Sequence, residues 1–222
     1  MDLLQIIICL LAFFILLYGL LHWKQIKASR LEFLILLQAC SLLAEIGSEI
    51  SIILYRNNAL SFNLYTLAET PLILFLIGSW TSPSPFSKFI RMLSTAFFLF
   101  WLAESFYITR FTEGFNDRSI LAGGLLCLLV NAIYLYRLSN ESYIPLVRSL
   151  RFWISSSFLI YFSVSTILLS SYQITALEGR ETTHLLEDIH LYIHIFTSSI
   201  LLIALLCLHK PRTSRISSSF SL

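Results

Sequence analysis

"LLEDIHLYIHIFTSSILLIALLCLHK", residues 185–210, decides how this chain is read. From Ile195 to Leu208 it is apolar apart from three small hydroxyl residues, Thr197, Ser198 and Ser199. Together with the residues before it, the run is long enough for a helix to cross a bilayer core, which takes roughly 20 residues. Yet its opening turns hold Glu187, Asp188, His190 and His194. A helix bound for lipid carries imidazoles at such depth only where other helices offer them polar company.

The rest of the chain sets the same problem. Of its 222 residues, 57% are hydrophobic and 13% charged, and the mean hydropathy is +0.78. A soluble domain of this length could not withdraw so much apolar surface from water. An all-α polytopic membrane protein is therefore expected. Seven stretches qualify as spans: Leu3–Leu21, Leu31–Tyr55, Leu60–Trp80, Phe89–Thr109, Ile120–Tyr136, Leu150–Ser171 and Leu186–Leu208. The fifth is short and contains Gly123-Gly124. The first lacks the basic start and small-residue cleavage site of a signal peptide and reads as a retained helix. Cys9, Cys40, Cys127 and Cys207 all lie in apolar runs and read as small buried hydrophobes.

Basic residues set the expected orientation. Lys24, Lys27, Arg30, Lys88, Arg91, Arg137, Arg148, Arg151, Lys210, Arg212 and Arg215 lie on one side; Arg56, Arg110, Arg118 and Arg180 lie on the other. The 11 to 4 split puts the N-terminus outside and the C-terminus in the cytoplasm. One seven-helix domain over residues 1–209 is expected, followed at 210–222 by a disordered, basic, Ser-rich cytoplasmic tail. No internal repeat suggests a transporter of two related halves. The bilayer and a signalling partner in it or in the cytoplasm are the expected partners, with no role for nucleic acid.

Intramembrane carboxylates are costly, about 2.5–3.5 kcal/mol near a helix centre. Glu45 and Glu49 lie in span two ("LLAEIGSEISIILY"), Glu69 in span three ("NLYTLAETPLIL") and Glu104 in span four ("WLAESFYITR"). At 1.5 Å per residue, Glu49 and Glu45 sit about 9 and 15 Å below the outer boundary, and Glu69 about 14 Å. Glu104 falls about 8 Å down, and His190 and His194 about 6 and 12 Å. All six fall in the outer half, so a shared polar pocket is expected there. Glu45 and Glu49, like His190 and His194, are spaced to share one helix face. Like-charged carboxylates on one face in low dielectric do not both stay ionised; one holds a proton or a cation sits between them. Pro71 is expected to loosen the backbone beside Glu69. Tyr65, Asn63, Ser48 and Ser51 add hydroxyl and amide partners.

Three uses of such a pocket compete. Glu45, Glu49, Glu69, Glu104, Tyr65 and Asn63 are candidate ligand-binding residues for a proton, an ion or a small polar molecule. His190, His194, Glu69 and Glu45 are candidate metal ligands, and imidazole with carboxylate suits zinc, iron or manganese. The plainer alternative is interhelical hydrogen bonding alone. It is strongest for Glu104, which can reach water or Arg110. His22, His184 and His209 read as flanking residues. The run "FWISSSFLIYF" in span six reads as packing and lipid contact, and Asn131 as a buried interhelical amide.

Seven helices with an outer N-terminus resemble the layout of microbial rhodopsins, but those hold retinal on a lysine in mid-span of the last helix. Here the only lysine of that helix region, Lys210, lies past its inner end, so retinal is excluded. "HLYIH", His190 to His194, resembles the last-helix element of membrane hydrolases of the alkaline ceramidase and adiponectin-receptor type, which implies zinc-dependent hydrolysis of a lipid-like substrate. Span two offers Glu45 and Glu49 where that superfamily has Ser-x-x-x-His, and no span before the last contains its Asp. "NLYTLAE" and the late histidines also resemble a set of small uncharacterised bacterial seven-helix membrane proteins, which implies the inner membrane and no particular activity. The expected function is a receptor- or sensor-type membrane protein with a Glu/His pocket. A metal-dependent intramembrane hydrolase is the alternative.

Overall fold

The computed structural model describes residues 3–108, 115–141, 145–175 and 180–207, with backbone alone for residues 55, 141, 172–175 and 180–184. Eight α-helices follow in order: α1 (Leu3–Leu21), α2 (Trp23–Ala28), α3 (Glu32–Tyr55), α4 (Ala59–Trp80), α5 (Pro85–Ala103), α6 (Asp117–Glu141), α7 (Leu150–Thr175) and α8 (Arg180–Cys207). There is no strand among the described residues. All except the short α2 are long and apolar enough to cross a membrane, as a multi-pass membrane protein requires. The expected tail at 210–222 lies outside the described residues, as do Arg110 and His209 and the side chain of His184.

The helix limits differ from the hydropathy limits where polar residues cap or extend a helix. α5 begins at Pro85, four residues before the apolar run, because Ser84 accepts from the Ser87 amide at 3.2 Å and proline suits the first helical position. α6 runs three residues earlier and five later than Ile120–Tyr136, straight through its glycine pair. Those glycines are contact points: a Cβ on Gly123 would lie 2.5 Å from Thr70 Oγ1, and one on Gly124 would lie 2.7 Å from Thr166 Oγ1. Pro71 sits inside α4 without ending it. At its far end α5 passes into one π-helical turn, Glu104–Ile108.

Packing is mostly between chain neighbours. α1 packs on α3 and α8, α3 on α4, α4 on α5 and α6, α6 on α7, and α7 on α8. The contacts close a ring through α1, α3, α4, α6, α7 and α8, with α5 added against α4 and α6. The two halves of the bundle differ in chemistry. Toward the end where α3 starts and α4 stops, Leu34, Ile35, Ile73, Ile77, Ile154 and Leu205 form a dry aliphatic core. Toward the opposite end the interior turns polar, with Asn63, Thr66, Ser105, Asn116 and Ser165 buried. Arg30, between α2 and α3, has left-handed backbone and donates to the carbonyls of Ser79 at 2.5 Å and Ser82 at 3.2 Å, tying this turn to the end of α4.

Candidate functional site

Glu69 lies one helical turn after Tyr65 on α4, a spacing that stacks both side chains on one face. The Tyr65 hydroxyl donates to Glu69 Oε1 at 3.0 Å. Both face a cavity between α3, α4, α7 and α8, lined on its polar side by Gln38, Ser157, Tyr161, His194, Thr197 and Ser198. The space open to water centres is about 30 Å³. A water needs at least about 10–15 Å³ on that measure, so there is room for one or two. Leu37, Phe158 and Leu201 close the floor and belong to the aliphatic core. The cavity is thus blind toward that half of the bundle.

The α7 and α8 walls are fixed to one another. Ser157 donates across the helix pair to the Thr197 carbonyl at 2.9 Å. The Thr197 hydroxyl turns back to the carbonyls of Ile193 and His194, at 2.8 and 3.2 Å. Tyr161 packs against both imidazoles, its ring centroid 5.8 Å from that of His190 and 5.6 Å from that of His194. His190 Nδ1 lies 3.4 Å from the Ser165 hydroxyl. Tyr161 also lies within electrostatic reach of Glu69 and, more weakly, of Glu45.

Glu45 and Glu49 are part-buried and do not line this cavity. They lie within reach of each other and of Cys9 on α1, so this part of α3 faces the α1 side. Ser51 leaves the pair as well: its hydroxyl is 2.9 Å from that of Ser61, joining α3 to α4.

Glu104 and Asn63 belong to a separate polar knot. The fully buried Glu104 accepts the Arg118 amide at 3.1 Å, the Ser119 amide at 2.6 Å and the Ser119 hydroxyl. Those amides are in the first turn of α6, where helix donors lack intrahelical partners and negative charge is favoured. Asn63 Oδ1 accepts the Asn116 amide at 2.9 Å, and Asn116 Nδ2 donates to the Ser105 hydroxyl at 2.5 Å. Glu104 therefore caps a helix, with Arg118 and Ser119 as its partners among the described residues; Arg110, the partner considered from the sequence, lies outside them. Asn131 also differs from expectation: its amide donates to Cys127 O one turn back at 2.8 Å, within its own helix.

The set considered for a metal is not gathered. Among the described residues no three His, Cys, Asp or Glu side chains come together to hold an ion. His194 is on the Glu69 cavity, His190 is against Ser165, and Glu45 is on the α1 side. Tyr161, Gln38, Thr197 and the Asn116 knot escape a reading based on charged residues. A signal for Tyr161 does exist: Ser157, Tyr161 and Ser165 recur every fourth residue, a polar stripe on one face of an otherwise apolar helix. Comparison with protein-family models, with curated proteins and with solved structures finds no match.

Proposed function

We propose that this chain is a sensor-type integral membrane protein that takes up a proton, together with one or two waters, at the Glu69–Tyr65–Tyr161–His194 cavity. The observation that carries the reading is the Tyr65–Glu69 hydrogen bond at the wall of a water-sized, blind cavity that also holds an imidazole. A space of that size suits one or two waters and an exchangeable proton. The aliphatic floor supports a sensor over a transporter, which needs polar groups continuing toward the other side. A metal-dependent hydrolase finds no ligand set among the described side chains.

Gain or loss of charge on a carboxylate in low dielectric changes its interaction energy by several kcal/mol. That is enough to bias two packings of α4 against α7 and α8 that differ by a few kcal/mol. Tyr65 on α4, Cys127 on α6 and Tyr161 on α7 lie within electrostatic reach of Glu69, His194 on α8 lines the same cavity, and Glu45 on α3 reaches Tyr161. With the basic end in the cytoplasm of a bacterial cell, the cavity lies toward the outer face and a partner at the basic end receives the change.

Thermal unfolding of the purified protein in nanodiscs across pH, for wild type, Glu69→Gln, His194→Gln and the double variant, tests this reading. The wild-type midpoint is expected to vary with pH in a way that Glu69→Gln flattens, and the two substitutions should not be additive. An identical pH profile in wild type and Glu69→Gln would overturn it.

A further inference from the structure

At the basic end of the bundle, two guanidiniums are held over aromatic rings. Arg137, near the end of α6, lies 4.5 Å above the Phe86 ring centroid, and Arg151, in the first turn of α7, lies 5.7 Å from that of Trp80. Trp80 is itself fixed, its indole donating to Arg30 O at 2.9 Å and its ring 5.3 Å from that of Tyr134. Tyr134 precedes Arg137 by three residues on α6, so both cations belong to one cluster. Neither guanidinium has a hydrogen bond or ion pair to any described residue. Arg30, by contrast, spends its N–H groups on Ser79 and Ser82 carbonyls.

A guanidinium stacked on a ring is weakly hydrated, and its in-plane N–H edge stays free to fork onto a phosphate. The surroundings say where that phosphate comes from. Tyr136 and Trp153 are exposed beside the two arginines, and Met92 is exposed on α5. Rings of that kind sit at headgroup level with apolar chains below them. The charge, the free donor edges and the aromatic rim together fit a phosphodiester that carries acyl chains.

We propose that Arg137 and Arg151 form a binding site for the headgroup of an anionic phospholipid. The rings orient the two forks, and the acyl chains run down the apolar surface of α5 and α7. The site is independent of the Glu69 cavity.

The test is native mass spectrometry and thermal unfolding of the whole protein in non-ionic detergent, titrated with phosphatidylglycerol, phosphatidylcholine or inorganic phosphate. Wild type is expected to retain and be stabilised by phosphatidylglycerol alone. Arg137→Gln/Arg151→Gln should weaken its apparent affinity about tenfold or more, the loss expected when charge-assisted hydrogen bonds are removed. Arg137→Lys/Arg151→Lys keeps the charge without the stacked fork and should recover only part of it. Lys24→Gln/Lys27→Gln removes the same charge elsewhere and should leave binding unchanged. Equal loss in the lysine and arginine pairs would overturn the site in favour of general surface charge, and equal stabilisation by inorganic phosphate would overturn the lipid assignment.

Discussion

Tyr65 donates its phenolic hydroxyl to Glu69 at 3.0 Å from one turn earlier on α4. The bond joins two residues that line the cavity shared with Tyr161 and His194. Tyr65→Phe removes the donor and keeps the ring. It should destabilise the protein by about 1 kcal/mol, the net worth of such a bond, as read by unfolding in detergent. In a Glu69→Gln background the same change should cost distinctly less, because both substitutions disturb one contact. Additive effects would mean that the two side chains do not act as a pair.

The Glu104 knot bears on folding, because it caps the start of α6. Glu104→Ala leaves the Arg118 and Ser119 amides of the first α6 turn without their carboxylate and should cost about 1–3 kcal/mol. Glu104→Gln keeps an acceptor and should cost less. Hydrogen exchange at those two amides should rise in the alanine variant, while the Glu69 cavity keeps its pH response. If that response disappeared as well, Glu104 would belong to the site.

Glycines in the bundle give a paired test of packing. Gly123→Ala places a Cβ 2.5 Å from Thr70 Oγ1 and 3.0 Å from the Phe97 ring, and should destabilise by about 1–3 kcal/mol. Gly78→Ala meets nothing closer than Ile90 Cγ2 at 3.5 Å. With alanine favoured over glycine in a helix by up to about 1 kcal/mol, it should leave stability unchanged or slightly raised. Thermal unfolding of the two variants side by side decides the point.

The spans were legible because lipid demands long apolar helices, and each of the seven left an apolar run in the sequence. Depth was legible too, since it follows from counting residues along a helix. Rotation about the helix axis was not. Glu104 and Glu69 both lie within the same half of the bundle, yet Glu104 turns to the first turn of α6 and Glu69 to the cavity. The i, i+4 rule paired Glu45 with Glu49 and His190 with His194, but it says nothing about which neighbouring helix each face meets. His190 meets Ser165 and His194 meets the cavity. Tyr161 was hidden by its class, an aromatic among aromatics, and only the serines one turn either side of it mark the face it occupies.

Infrared difference spectroscopy across a pH titration reads out whether Glu69 exchanges a proton within the cavity. Membranes of wild-type protein should show a carboxyl C=O band that appears and disappears with pH, shifts in Tyr65→Phe, and is absent from Glu69→Gln. Glu45→Gln should leave that band in place, since Glu45 does not line the cavity. A wild-type spectrum in which no carboxyl band titrates, or one whose titrating band survives in Glu69→Gln and vanishes in Glu45→Gln, would rule out proton exchange at Glu69.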